Sequence, residues 1–281
     1  MALRDDLTDY IGRNSSPNTK IVETHNVAIV GEWHAFLITP GSDIRTHATV
    51  RLLLELLGDP KYRYFANESY ANKGPIRQAV REYVQDGSLP PALDPNGALS
   101  DVVEIGRRVL VRRYQEVLDF LRANPRYILS IGTLEDADGR RDARLAQHFF
   151  AEFEDRKLRP GVPGVLLLGG HHAAAVSDSG FPTVRMLLEK RGFRCVSIQV
   201  LTDFSPKGVP DDEVIPVGTD LANVDPKVIV RLTSLVSKTP VTVPTDRPWT
   251  NGRSSPFRQV TFGSSTIPVA SQFEYIVLQR A

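Results

Sequence analysis

Val165-Leu166-Leu167-Leu168-Gly169-Gly170-His171-His172 is the stretch on which the reading of the fold turns. Four aliphatic side chains without a polar interruption read as a strand buried on both faces, the pattern of a parallel sheet covered on each side. Two glycines end the run and two histidines follow at once. A second segment has the same plan: Asn26-Val27-Ala28-Ile29-Val30 stops at Gly31 and leads to Glu32-Trp33-His34. Each strand is followed by a helical pattern and another strand. Residues 47–57 carry apolar side chains at helical spacing up to Gly58, before a strand at 62–66. Residues 182–191 read as a helix closed by Gly192, before a strand at 195–201. Alternating strands and helices predict an α/β fold. It would have two quasi-repeated β/α halves around a central, mostly parallel sheet.

Outward from these two units, the middle of the chain is helical. A helix is expected from Pro75 to about Gly87, and another from the N-cap Ser100 to about Ala123. A strand at 127–131 and a helix from Arg141 to about Arg156 follow. Residues 1–24, polar after a short helical pattern, read as an N-terminal arm or lid. Residues 204–270, rich in Pro, Thr and Ser, read as a loop-rich insertion with one helix near 226–237. A terminal strand is expected at 273–278, and residues 1–281 read as one domain.

Charge narrows the function classes. The 281 residues carry 34 basic and 33 acidic side chains, so the basic surplus of a nucleic-acid binder is missing. One cysteine, Cys195, excludes an internal disulfide and a thiolate-rich metal site. No window approaches the roughly 20 apolar residues of a membrane span. The opening residues lack the apolar core of a secretion signal. The expectation is a cytoplasmic protein acting on a small-molecule or peptide substrate, with no nucleic-acid or membrane partner.

In open α/β sheets ligands bind beyond the carboxyl ends of the strands. The polar residues expected there are Glu32 and His34, Glu68, Glu135 with Asp136, and His171 with His172. Glu32 and His34 point to the same side of an extended segment. A carboxylate and an imidazole so placed suit acid/base chemistry, or a divalent Zn, Mn or Fe ion. Of the adjacent histidines at most one reaches a shared site. His47, at the start of a helix, is as consistent with capping as with a contact to the site. Arg45, two residues before His47, and Tyr70, two residues after Glu68, are further candidates for substrate contact. No Gly-x-Ser-x-Gly elbow, P-loop or Gly-x-Gly-x-x-Gly occurs.

These segments resemble the erythromycin esterase/ChaN-like superfamily, which includes the Tiki and TraB proteins. Val30-Gly31-Glu32-Trp33-His34 matches its opening motif. Arg141-Asp142-Ala143-Arg144-Leu145-Ala146 resembles its Arg-Asp helix start. Leu168-Gly169-Gly170-His171-His172 resembles its Leu-Gly-x-x-His segment, and Phe273-Glu274-Tyr275-Ile276 its closing strand. The resemblance implies a cleft holding Glu32, His34, Glu68 and His172, with Arg141 beside them and Asp142 and His171 in support. Glu32 and His34 would be catalytic with Arg141, and the four Glu and His residues would be the metal ligands.

The expected function is a metal-dependent enzyme that hydrolyses an ester or amide through a metal- or His-activated water, with Fe, Mn or Zn as cofactor. An iron-dependent oxidative enzyme using the same Glu/His site is one alternative. A haem- or iron-binding protein without catalysis is another, with His47 or Tyr70 as axial ligand.

Overall fold

A computed structural model describes residues 3–17, 24–32, 43–68, 75–88, 114–124, 127–130, 141–202, 212–219, 223–263 and 265–280. Among them seven strands form the main sheet: β1 (Val27–Glu32), β2 (Tyr64–Asn67), β3 (Tyr127–Ser130), β4 (Gly164–Gly169), β5 (Cys195–Thr202), β8 (Val241–Pro244) and β10 (Tyr275–Gln279). Their order is β3-β2-β4-β1-β5-β10-β8. All neighbours are parallel except β10 and β8. The fold is α/β with a mostly parallel central sheet, as the two apolar strand signals predict.

Those signals form the centre of the sheet. β1 and β4 lie side by side, with Ala28 opposite Val165 and Glu32 opposite Gly169. Both strands are buried along their whole length, which is why their sequences are continuously apolar rather than alternating. Helix α2 (Asp43–Gly58) carries the chain from β1 to β2. Its Leu52, Leu53, Leu56 and Leu57 pack in one core with Ala28, Val30, Val165 and Leu167. The other side chains of the same strands, Val27, Ile29, Leu166 and Leu168, pack with α5 (Arg141–Asp155) and α7 (Val184–Lys190) through Phe149, Phe153 and Leu188. The chain leaves β1 and β4 over opposite faces, so their carboxyl ends meet at a topological switch point. Between α2 and α5 lie α3 (Pro75–Asp86) and α4 (Gln115–Ala123). Helix α4 covers the C-terminal part of the helix expected at 100–123, and residues 101–113 lie outside the described set. No helix among the described residues is long and apolar enough to cross a membrane.

Three expectations change. The N-terminal stretch is no arm over residues 3–17. It forms α1 (Leu3–Asn14), whose Leu7, Tyr10 and Ile11 are buried. The Tyr10 hydroxyl donates to the Pro244 carbonyl at 2.9 Å, and the Trp249 indole N–H donates to Asp9 at 3.0 Å. The region 204–270 is more than loops. It supplies β8 and a second sheet of β6 (Glu213–Pro216), β7 (Val230–Arg231) and β9 (Val260–Phe262). The helix expected near 226–237 is a 3-10 turn at Pro226–Val228, then β7, then a second 3-10 turn at Leu232–Leu235. Val230 and Leu232 enter the core with Tyr10, Phe257 and Leu278, and that burial overrides the helical spacing.

Cys195 opens β5. Burial pushes its thiol up, and pushes up the phenols of Tyr62 and Tyr64. The unfolded chain releases these protons near their ordinary values, 9.0 for the thiol and 10.0 for the phenols. The folded chain keeps them to higher pH. Their contribution is therefore fully present below about pH 9 and is lost as pH rises further, by up to about 1.4 kcal/mol per pH unit per group. Urea midpoints measured between about pH 8 and about pH 11 should fall, with a shallower fall in Tyr64→Phe.

Candidate functional site

The carboxyl ends of β1, β2 and β4 bring Glu32, Glu68 and Gly169 together. Gly169 is the register partner of Glu32, and its N–H donates to Glu68 Oε2 at 2.8 Å. The other Glu68 oxygen, Oε1, accepts from the Arg141 guanidinium at 2.5 Å. Arg141 opens α5 and keeps about half its side chain exposed, at 48%, against 6% for Glu68. A carboxylate this buried needs such partners, and Arg141 supplies one from a half-exposed side chain.

Directly after β4 comes α6 (Gly170–Ala173). It carries both histidines, and they diverge: His171 is exposed, whereas the His172 side chain is 14% exposed. His172 Nδ1 stands 2.9 Å from Asp142 Oδ1. With the carboxylate as acceptor, the Nδ1–H is the donor and Nε2 is left as the basic nitrogen. Nε2 lies 3.7 Å from Glu68 Oε1, beyond hydrogen-bond distance. Asp142 Oδ1 is fixed in turn by the Val184 N–H at 3.0 Å. Four of the residues expected at the site, Glu68, Arg141, Asp142 and His172, thus form one connected group. Glu32 stands at the adjoining strand end, 2% exposed. His34 and Tyr70 lie outside the described residues, as do Glu135 and Asp136. The side chains of Arg45 and His47, in the first two turns of α2, lie outside the described ones.

Two site residues escape sequence reasoning. Tyr114, fully buried just before α4, donates its hydroxyl to Glu32 Oε1. Its position 82 residues along the chain gave no local signal. Gln199, on β5 opposite Gly31, lies against Gly31 near the end of β1 and Gly170 just after β4. A Cβ on Gly31 would meet its Oε1 at 2.7 Å, and one on Gly170 at 2.6 Å. The glycines read as strand stops are therefore also the room for this buried amide.

The donor set can be tested against a metal ion. Glu68 Oε1 carries a guanidinium, which opposes a second cation at the same oxygen. Glu68 Oε2 takes a backbone N–H and His172 Nδ1 takes Asp142. Among the described residues no three His, Cys, Asp or Glu side chains come together as a metal-holding group. Of the four expected ligands, Glu32, Glu68 and His172 are among the described residues and His34 is not.

No protein-family model matches the chain, and no curated protein matches it. A solved succinoglycan biosynthesis protein is similar over 99% of this chain and 97% of its own, with 10% identity and a TM-score of 0.55. That likeness shows a shared fold. A structure described as a bacterial protein toxin covers 70% of this chain with 13% identity and a TM-score of 0.40. RRSP, a MARTX toxin effector domain from Vibrio vulnificus, covers 71% with 11% identity and a TM-score of 0.34. The chain spans 38% of the first toxin and 36% of the second.

Proposed function

We propose that the protein is a cytoplasmic hydrolase of a small-molecule or peptide ester or amide, with His172 as general base and then general acid. One observation carries this reading: Nδ1 of His172 is tied to Asp142 at 2.9 Å, while among the described residues Nε2 makes no hydrogen bond and lies 3.7 Å from Glu68. An imidazole oriented through one nitrogen and open at the other is the arrangement that proton transfer requires. The resemblance to the erythromycin esterase/ChaN-like superfamily supports the same class of reaction.

In this mechanism Nε2 takes a proton from water as the water oxygen attacks the substrate carbonyl carbon. Negative charge moves to the carbonyl oxygen, where the positive charge of the half-exposed Arg141 stabilises it. The Glu68 carboxylate stands 3.7 Å from Nε2, beside the atom that carries the proton. The carbon–oxygen or carbon–nitrogen bond then breaks, and the Nε2 proton passes to the leaving atom. Glu68 also holds Arg141 in place, and Glu32, anchored by Tyr114, lines the neighbouring strand end.

The test is hydrolysis of p-nitrophenyl acetate by purified protein, before and after dialysis against EDTA. Hydrolysis that saturates with substrate and survives the chelator is the expected result. Activity lost to EDTA and restored by Zn, Mn or Fe would replace this reading with a metal-activated water. A visible haem band without hydrolysis would replace it with the binding protein.

A further inference from the structure

We infer that the ion pair of the buried Arg185 with the half-buried Glu274 is the positioning device for His172; the inference rests on the proposed role of His172 as a base. Arg185 is the second residue of α7 and is 8% exposed. A guanidinium at that depth is tolerated only with full pairing, and all three of its nitrogens are used. Nη1 and Nη2 donate to the two oxygens of Glu274 at 2.6 and 2.7 Å, the bidentate geometry. Nε donates to Glu189 at 2.9 Å, and Nη1 also donates to the Ser197 hydroxyl at 2.9 Å.

The pair reaches His172 along two routes. The Ser197 hydroxyl donates to the carbonyl oxygen of Ala173, the residue after His172 and the last of α6. Glu274 Oε2 also accepts the Ser197 N–H at 2.8 Å, so Ser197 is held from both its ends. A helix of four residues has no stability of its own, and α6 takes its position from such tertiary bonds. The second route is the residue beside Arg185. The Val184 N–H donates to the same Asp142 oxygen that holds His172 Nδ1. Consecutive residues of α7 therefore set the backbone of α6 and the orientation of the imidazole together. Just before Glu274, the Gln272 carbonyl accepts the Ala175 N–H at 2.8 Å, which ties the other flank of the same segment.

The experiment reads the imidazole directly. In protein labelled with 15N at histidine, at a pH where the ring is neutral, wild-type His172 should show a single tautomer with its proton on Nδ1. Arg185→Met and Glu274→Gln should show a mixture of tautomers. Their kcat on p-nitrophenyl acetate should fall by about 10- to 100-fold, with KM changed less than about threefold, the size expected for a misplacement near 1 Å. Arg185→Lys should recover part of the loss. Folded variants with the wild-type tautomer and wild-type kcat would overturn the inference. If Arg185→Met does not fold, Arg185→Lys and Glu274→Asp decide the matter, and unchanged tautomer and kcat in both would overturn it. If the wild type does not hydrolyse the ester, the hydrolase reading falls alone, and the tautomer still decides the positioning.

Discussion

Replacing His172 with Gln is expected to lower kcat for p-nitrophenyl acetate by about 10²- to 10⁴-fold, the usual contribution of a positioned general base, with KM little changed. Gln is close in length and polar, so the change removes basicity more than volume. The thermal transition should stay cooperative, because the His172 side chain is still partly exposed and belongs to none of the apolar cores. Asp142→Asn is the companion variant. Its amide can turn an N–H toward Nδ1, which favours the tautomer with the proton on Nε2 and removes the base without removing the ring. Its loss should therefore approach that of His172→Gln, and the double variant should lose little more than either alone, since the two side chains act as one unit. Full activity in His172→Gln would sink the general-base role. Full activity in Asp142→Asn alone would leave the base and remove its orienter.

Legibility in the sequence followed the range of the interactions. The strands at 165–168 and 26–30 were visible because burial on both faces writes a local code, a run without polar residues. The site residues at their ends were visible for the same reason, since a charged side chain directly after such a run has only the sheet edge to occupy. Of the residues read as a site, the structure brings Glu68, Arg141, Asp142 and His172 together, and His34 lies outside the described residues. What bound them was less visible. Tyr114 reaches Glu32 from across the helical layer, and Gln199 reads only as one residue of a strand until its neighbours across the sheet prove to be glycines. Helix α1 carried its evidence openly: Leu7, Tyr10 and Ile11 follow helical spacing, yet the polar residues around them outweighed it in the reading as an arm. Strands of two to four residues in the region 204–270 are too short to show a period. Their pairing, as in Val214 with Phe262, is decided by the core they close.

Gly164→Ala is expected to destabilise the fold by about 3 kcal/mol, at the upper end of ordinary overpacking. Gly164 begins β4 opposite Tyr64 on β2, and the Tyr64 ring lies across the position a Cβ would take, against its Cζ and both Cε atoms. The ring is fully buried and enclosed by Phe149 and Phe153, with centroids 6.0 and 5.4 Å away, so it cannot swing aside without moving a second layer of aromatics. Against this stands the preference of a strand for alanine over glycine, roughly 0.5–1 kcal/mol, which is too small to reverse the sign. For a chain of this size the melting temperature should fall by about 2–4 °C for each kcal/mol. Tyr64→Leu separates the clash from any other effect of the glycine. It costs stability alone, but it makes room beside residue 164, so the double variant should be more stable than the sum of the two losses predicts, by about 0.5–3 kcal/mol. An unchanged melting temperature in Gly164→Ala, or strict additivity with Tyr64→Leu, would show that the ring does not depend on the glycine. The apposition that lets β2 carry Glu68 up to Gly169 would then need another cause.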